Sequence, residues 1–143
     1  MGEIFARGVP LYAKTTKYPD IGWVRGSIIH DDESHSMYIV ELIKVGDLFV
    51  TTNLIPVHNH SVGKKAGITD KMAHDIYEND IIQIELAHAT VEGLVIFKSG
   101  SFGVFSKGHF TTFVDILSLS RDILILGNIY DNPNLYKEEY NFI

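Results

Sequence analysis

The chain has 143 residues, 12 Lys and Arg against 18 Asp and Glu, a formal charge of −6, 45% hydrophobic residues and no cysteine. That hydrophobic share excludes bulk disorder, and a chain this long buries roughly 70% of its unfolded surface without staples. The absent thiols exclude disulfides, thiolate catalysis and Cys-type zinc sites and agree with a reducing cytoplasm, while the acidic balance disfavours non-specific nucleic-acid binding, which needs Lys and Arg against phosphates.

The N-terminus lacks a basic region followed by an apolar run, so no signal peptide is expected. No apolar run approaches membrane-spanning length, so no membrane partner is expected either. Residues 4–7 alternate as a short first strand. Residues 8–20 hold two prolines and no period, and read as a loop with Lys14 and Lys17 in solvent. Residues 22–30 are the first firm strand, with Trp23, Arg25, Ser27 and Ile29 on one face and Val24, Gly26 and Ile28 on the other. A polar turn at 31–34 leads into a strand over 37–43, with Tyr38, Val40 and Leu42 on one side, giving a hairpin with a longer loop. Residues 48–52 and 54–57 read as two extended pieces, and Pro56 marks a sheet edge.

Residues 61–75 carry turn formers and little apolar content, and read as the connection between two sub-structures. Strands follow at 80–86, with Ile82, Ile84 and Leu86 inward, at 91–98 and at 102–106, with a tight turn at 98–101. Residues 110–120 are ambiguous, read as a loop with a helical turn near 114–119. Residues 122–130 are a strong strand with Gly127 at a bend. Asn132 and Pro133 then suit the cap and first position of a short C-terminal helix. The expected fold is mainly β, α+β only by that helix: an N-terminal β-meander followed by a small barrel. The expected division is 1–60 and 61–143, or one compact unit.

Few residues invite chemistry. Asp70, Asp75 and Asp80 resemble a carboxylate cluster, but Asp at turns accepts backbone hydrogen bonds more often than it holds a metal. His58 and His60 are weak metal candidates that share a face if extended, without a third ligand at motif spacing. Lys64, Lys65 and Lys71 form a small basic cluster that reads first as a solvated loop. The pairs Ser99 with Ser101 and Ser118 with Ser120 lack the flanks of a nucleophile elbow. Trp23, Phe97, Phe102, Phe105, Phe110 and Phe113 suit either a stacking platform or, more often, core and subunit interface.

Two longer stretches carry a family resemblance. Val62-Gly63, Ala66-Gly67-Ile68-Thr69-Asp70 and Ile76-Tyr77-Glu78-Asn79-Asp80-Ile81 form the first. Ile125-Leu126-Gly127-Asn128-Ile129-Tyr130-Asp131-Asn132-Pro133-Asn134-Leu135 forms the second. With weaker matches at Phe5-Ala6-Arg7-Gly8 and Gly22-Trp23-Val24-Arg25-Gly26, they resemble the YopX family of phage and prophage proteins, in the family's order and across nearly the whole chain. The resemblance implies a C-terminal SH3-like barrel and a phage or prophage origin, and it implies no established activity. It marks Gly63, Gly67, Asp70, Ile76, Tyr77, Glu78, Asp80, Gly127, Asn128, Tyr130 and Pro133 as motif residues, read as structural. Asn79 stands where the family has Gly, and Asn tolerates left-handed backbone angles best among the other residues. Ala66 stands for Thr, and Met72-Ala73-His74 for an Asn-Gly-Lys-like turn.

The expected function is a non-catalytic, self-associating interaction module in the bacterial cytoplasm. It has no cofactor and no catalytic residue, and its partners are a second copy or a phage or host protein. A nucleic-acid-binding accessory of phage replication or regulation is the alternative, and a metal-dependent hydrolase on His58 and His60 is the weaker one.

Overall fold

The computed structural model describes residues 5–11, 23–119 and 122–140. The expectations for Ile4, for the loop over 12–20 with Lys14 and Lys17, for Gly22 and for Ser120 lie outside them. The chain divides into two compact units, Met1–Lys65 and Ala66–Ile143.

In the first unit, strands β1 (Phe5–Gly8), β2 (Val24–Asp31), β3 (Ser36–Val45) and β4 (Leu48–Val57) form an antiparallel sheet, and β5 (Gly63–Thr69) starts beside β1. The strand order is β4-β3-β2-β1-β5. The two extended pieces expected over 48–57 are one strand, because a register shift between Glu41 and Leu42 of β3 absorbs the irregularity. Pro56 does sit on an edge strand, as its missing N–H requires. The core collects Ala6, Val24, Ile39, Ile55 and Val57, with Ile28, Met37 and Val62 packed against it. Val24 and Ile28 share one of the two faces that alternation gives β2, and that face turns to the core. On β3 the core takes Met37 and Ile39, and Val40 of the expected Tyr38, Val40 and Leu42 face is buried as well, so the strand buries residues from both faces; the Leu42 side chain lies outside what the structure describes. Both faces of that strand are apolar, so alternation alone does not choose between them.

The second unit contains β6 (Asp75–Tyr77), β7 (Asp80–Glu85), β8 (Thr90–Lys98), β9 (Ser101–Ser106), β10 (His109–Thr112), helix α1 (Phe113–Leu119) and β11 (Asp122–Asn128). The five-stranded sheet runs β10-β9-β8-β7-β11, and β6 lies beside β5. The stretch read as a connection therefore contains a strand, β5. Its pairing satisfies the backbone although its side chains bury little, and pairing leaves no trace in apolar periodicity. Two-residue turns at Ser99-Gly100 and Lys107-Gly108 join β8 to β9 and β9 to β10. Both residues of each turn have positive φ, +52 and +81°, the mirror-type turn that matches strand twist.

Both faces of this sheet are covered. Ile82, Ile84, Val95, Val104 and Ile123 meet Ile76 and the helix residues Phe113 and Ile116 on one side. Ile81, Leu94, Ile96, Phe105 and Tyr140 form a second cluster. The helical turn expected near 114–119 is α1, seven residues long. The expected C-terminal helix is instead two 3-10 turns, Pro133–Leu135 and Glu138–Tyr140. Pro133 does sit in the first turn, but the Asn132 side chain does not cap it. The SH3-like barrel implied by the resemblance is not closed: β10 and β11 are the two edges of the sheet, and neither sheet closes among the described residues.

Candidate functional site

The motif residues build turns. Asp70 is 6% exposed. Its Oδ1 accepts the Met72 and His74 amides at 2.9 and 3.0 Å, and its Oδ2 accepts the Ile125 amide at 3.1 Å. One carboxylate thus shapes the 70–74 turn and ties it to β11, where the Lys71 amide also donates to the Ile123 carbonyl. Burial works against the charged form of Asp70. The amides of His74, Ile125 and Met72, with the His74 imidazole, outweigh it and hold the pKa below the ordinary carboxylate value. Asp80 is 1% exposed, and its Oδ2 accepts the Tyr77 amide at 2.8 Å across the turn into β7. Between them Asn79 has φ +74°, the left-handed conformation expected of a residue standing in for glycine. Ile76 and Tyr77 are buried core, Glu78 is half-buried, and Gly67 has φ +87°.

The second motif works the same way. Asn128 is buried, and its Oδ1 accepts the Tyr130 and Asp131 amides at 3.0 and 2.8 Å. The Asn132 Oδ1, instead of capping forward, accepts the Asn128 amide at 3.2 Å. A Cβ on Gly127 would come within 2.5 Å of that oxygen, so glycine is needed for the closure.

The remaining candidates disperse. His58 follows β4 and His60 lies in the 3-10 turn Asn59–Ser61, their rings 5.6 Å apart and tilted. No group of three or more His, Cys, Asp or Glu side chains gathers as a metal set among the described residues. Lys64 and Lys65 are neighbours on β5 and so point to opposite faces; the Lys65 ammonium stands 5.5 Å from the Phe5 ring. Lys71 is an exposed turn residue of the second unit. Gly63 is buried where β5 meets Arg7 of β1. Of the aromatics, Phe105 and Phe113 are buried in different clusters, Phe97 packs on Phe102 at 4.8 Å, and Trp23 stacks under Arg7 at 4.6 Å.

What the structure brings together is a cavity of about 530 Å³ in the second unit. It has a structural cause. The β8–β9 register ends at Leu94↔Phe105, while β8 continues back to Thr90 paired only with β7. Where the strands part, Thr90, Val91 and Glu92 line one side and Ser106, Lys107 and His109 the other. Ile84, Leu86, Val104 and Ile116 supply apolar lining. The C-terminal segment completes the wall with Lys137 and Glu139. It is tied in place by the Lys107 amide donating to the Glu139 carbonyl at 2.9 Å, and by Lys137 Nζ and the Tyr140 hydroxyl donating to Glu92 Oε1, each at 3.4 Å. Tyr140, then Glu92, and more weakly Glu139 raise the Lys137 pKa; burial raises that of Tyr140, the Lys137 ammonium opposes it, and the Glu92 and Glu139 carboxylates add to the rise. No local pattern in the sequence marks this site. Its residues come from β7, β8, the β9–β10 hairpin, α1 and the C-terminal turn, and no local spacing links them.

Fold and turn chemistry together define a mainly β protein of antiparallel sheets whose turns are closed by buried Asp and Asn side chains. The family model described as YopX protein matches residues 23–137, and the chain belongs to the YopX family. It is similar in fold to the crystal structure of YopX from Bacillus subtilis, at 17% identity over 96% of this chain and 100% of that one, with a TM-score of 0.54. A protein from Enterococcus faecalis is 18% identical over 96% of this chain and 99% of its own, with a TM-score of 0.49. No curated protein matches the chain. No helix among the described residues is long and apolar enough to cross a membrane.

Proposed function

We propose that this YopX-family protein is a phage- or prophage-encoded, non-catalytic interaction module that pairs with a second copy of itself through edge strand β4. The observation that carries the reading is the edge itself. β4 is ten residues long and holds no charged residue. Only β3 pairs along its length among the described residues, apart from the short contact of residues 9–11 at its Pro56–Val57 end. Leu48 and Leu54 are 70% and 58% exposed. Long uncharged edges with exposed apolar side chains invite another strand, and antiparallel pairing with an identical copy sets no like charges opposite each other. The motif carboxylates support the non-catalytic part, since Asp70 and Asp80 are spent on backbone amides.

The same reading takes the second unit as an open SH3-like barrel. In support, β7 to β10 run as a meander, α1 follows, and β11 returns beside β7. Light scattering on a sized sample tests the pairing. A dimer is expected that Leu54→Lys converts to a monomer with the fold retained; a wild-type monomer at high concentration would overturn the proposal.

A further inference from the structure

The cavity of the second unit is independent of β4, and its chemistry is uneven. Its lining has an aliphatic part, Ile84, Leu86, Val91, Val104 and Ile116, that suits an apolar body. Its charged rim has two halves. On the C-terminal side Glu92 faces Lys137 at 3.4 Å, and the carboxylates of Glu92 and Glu139 both act on that ammonium, so the cation there already has partners, two carboxylates to one ammonium. On the hairpin side stand Lys107 and His109, whose side chains have no hydrogen-bond or ion-pair partner among the described residues. Lys107 is held at the rim by its turn, with φ +52° and its amide on the Glu139 carbonyl. The cavity therefore offers an apolar slot with an unmatched cation at one lip, ordered by main-chain bonds before any ligand arrives.

We infer that this cavity binds a small amphipathic carboxylate, with its aliphatic body in the slot between β8 and β9 and its carboxylate against Lys107 and His109. A cationic head group would meet the unmatched ammonium of Lys107, and a neutral head would leave it without a partner. The ranking of ligands follows: carboxylate above alcohol above ammonium, for the same aliphatic chain.

The test is titration of the isotope-labelled full chain with octanoate, octanol and octylammonium, read by amide chemical shifts. Octanoate is expected to saturate and to move the amides of residues 90–92 and 106–109. Octanol binds more weakly, and octylammonium more weakly still. Lys107→Asn, a residue suited to the left-handed turn, is expected to weaken octanoate about fivefold with the melting temperature unchanged. Lys107→Arg restores it. Equal affinity for all three compounds, shifts confined to other residues, or an octanoate affinity that ignores Lys107→Asn would each overturn the inference. An affinity lost in Lys107→Asn and not regained in Lys107→Arg would do so as well.

Discussion

Replacing Asp70 by Ala removes one acceptor group from three amides at once, those of Met72, His74 and Ile125. A hydrogen bond to a charged group contributes about 1.5–3 kcal/mol net, but not all three losses count in full. Residues 71–75 are exposed, so the Met72 and His74 amides regain water. The Ile125 amide belongs to half-buried β11 and loses its partner with less access to solvent. The 70–74 turn also loses a link to a strand 55 residues away in sequence. The sum is about 2–4 kcal/mol. For a unit of this size that corresponds to a fall in Tm of roughly 10–25 °C. Denaturant melts of wild type and Asp70→Ala measure the loss, and hydrogen exchange at the Ile125 amide reports the individual bond. A loss under about 0.5 kcal/mol, or unchanged protection of Ile125, would refute the reasoning, because an exposed carboxylate of no structural use behaves that way.

The other expectations are smaller or simpler. Because the folded-state pKa of Asp70 is lowered, its contribution is complete above the ordinary carboxylate value of 3.8 and is lost as pH falls below it through the folded pKa. The stability gap between wild type and Asp70→Asn should therefore narrow as melts are taken from pH 5 downward; a gap that widens contradicts the sign. Ala73 holds φ +65°, a conformation that costs an L residue about 1–2 kcal/mol. Ala73→Gly should stabilise by about 0.5 kcal/mol after the entropy of glycine is subtracted, seen as a higher denaturation midpoint. A Cβ on Gly103 would lie 2.3 Å from the Thr111 carbonyl oxygen across the β9–β10 hairpin, so Gly103→Ala should destabilise by about 2 kcal/mol in the same melts. Asp80→Ala should lose about 1–3 kcal/mol through the orphaned Tyr77 amide, and an unchanged melting temperature would count against that role.

Local pattern determined the elements and much of the turn chemistry. The alternation of 80–86 sent Ile82 and Ile84 into a core, Pro56 marked an edge, and Asn79 stood in for glycine with a positive φ. These are properties of a residue and its immediate neighbours, so they survive without knowledge of the rest of the chain. What the tertiary structure decided depends on partners distant in sequence. β5 exists because β1 offers it a backbone ladder, although its side chains do not advertise a strand. Asn132 turns back to Asn128 rather than capping forward, because Gly127 leaves room for its oxygen. β3 has two apolar faces, and packing buries Ile39 beside Val24 and Ile55 while Val40 on the opposite face is buried too. The cavity arises only where β8 and β9 diverge and a C-terminal turn folds across the gap, tied there by Glu92 and Lys107. A divergence between strands is a property of their pairing, which no single stretch of sequence contains.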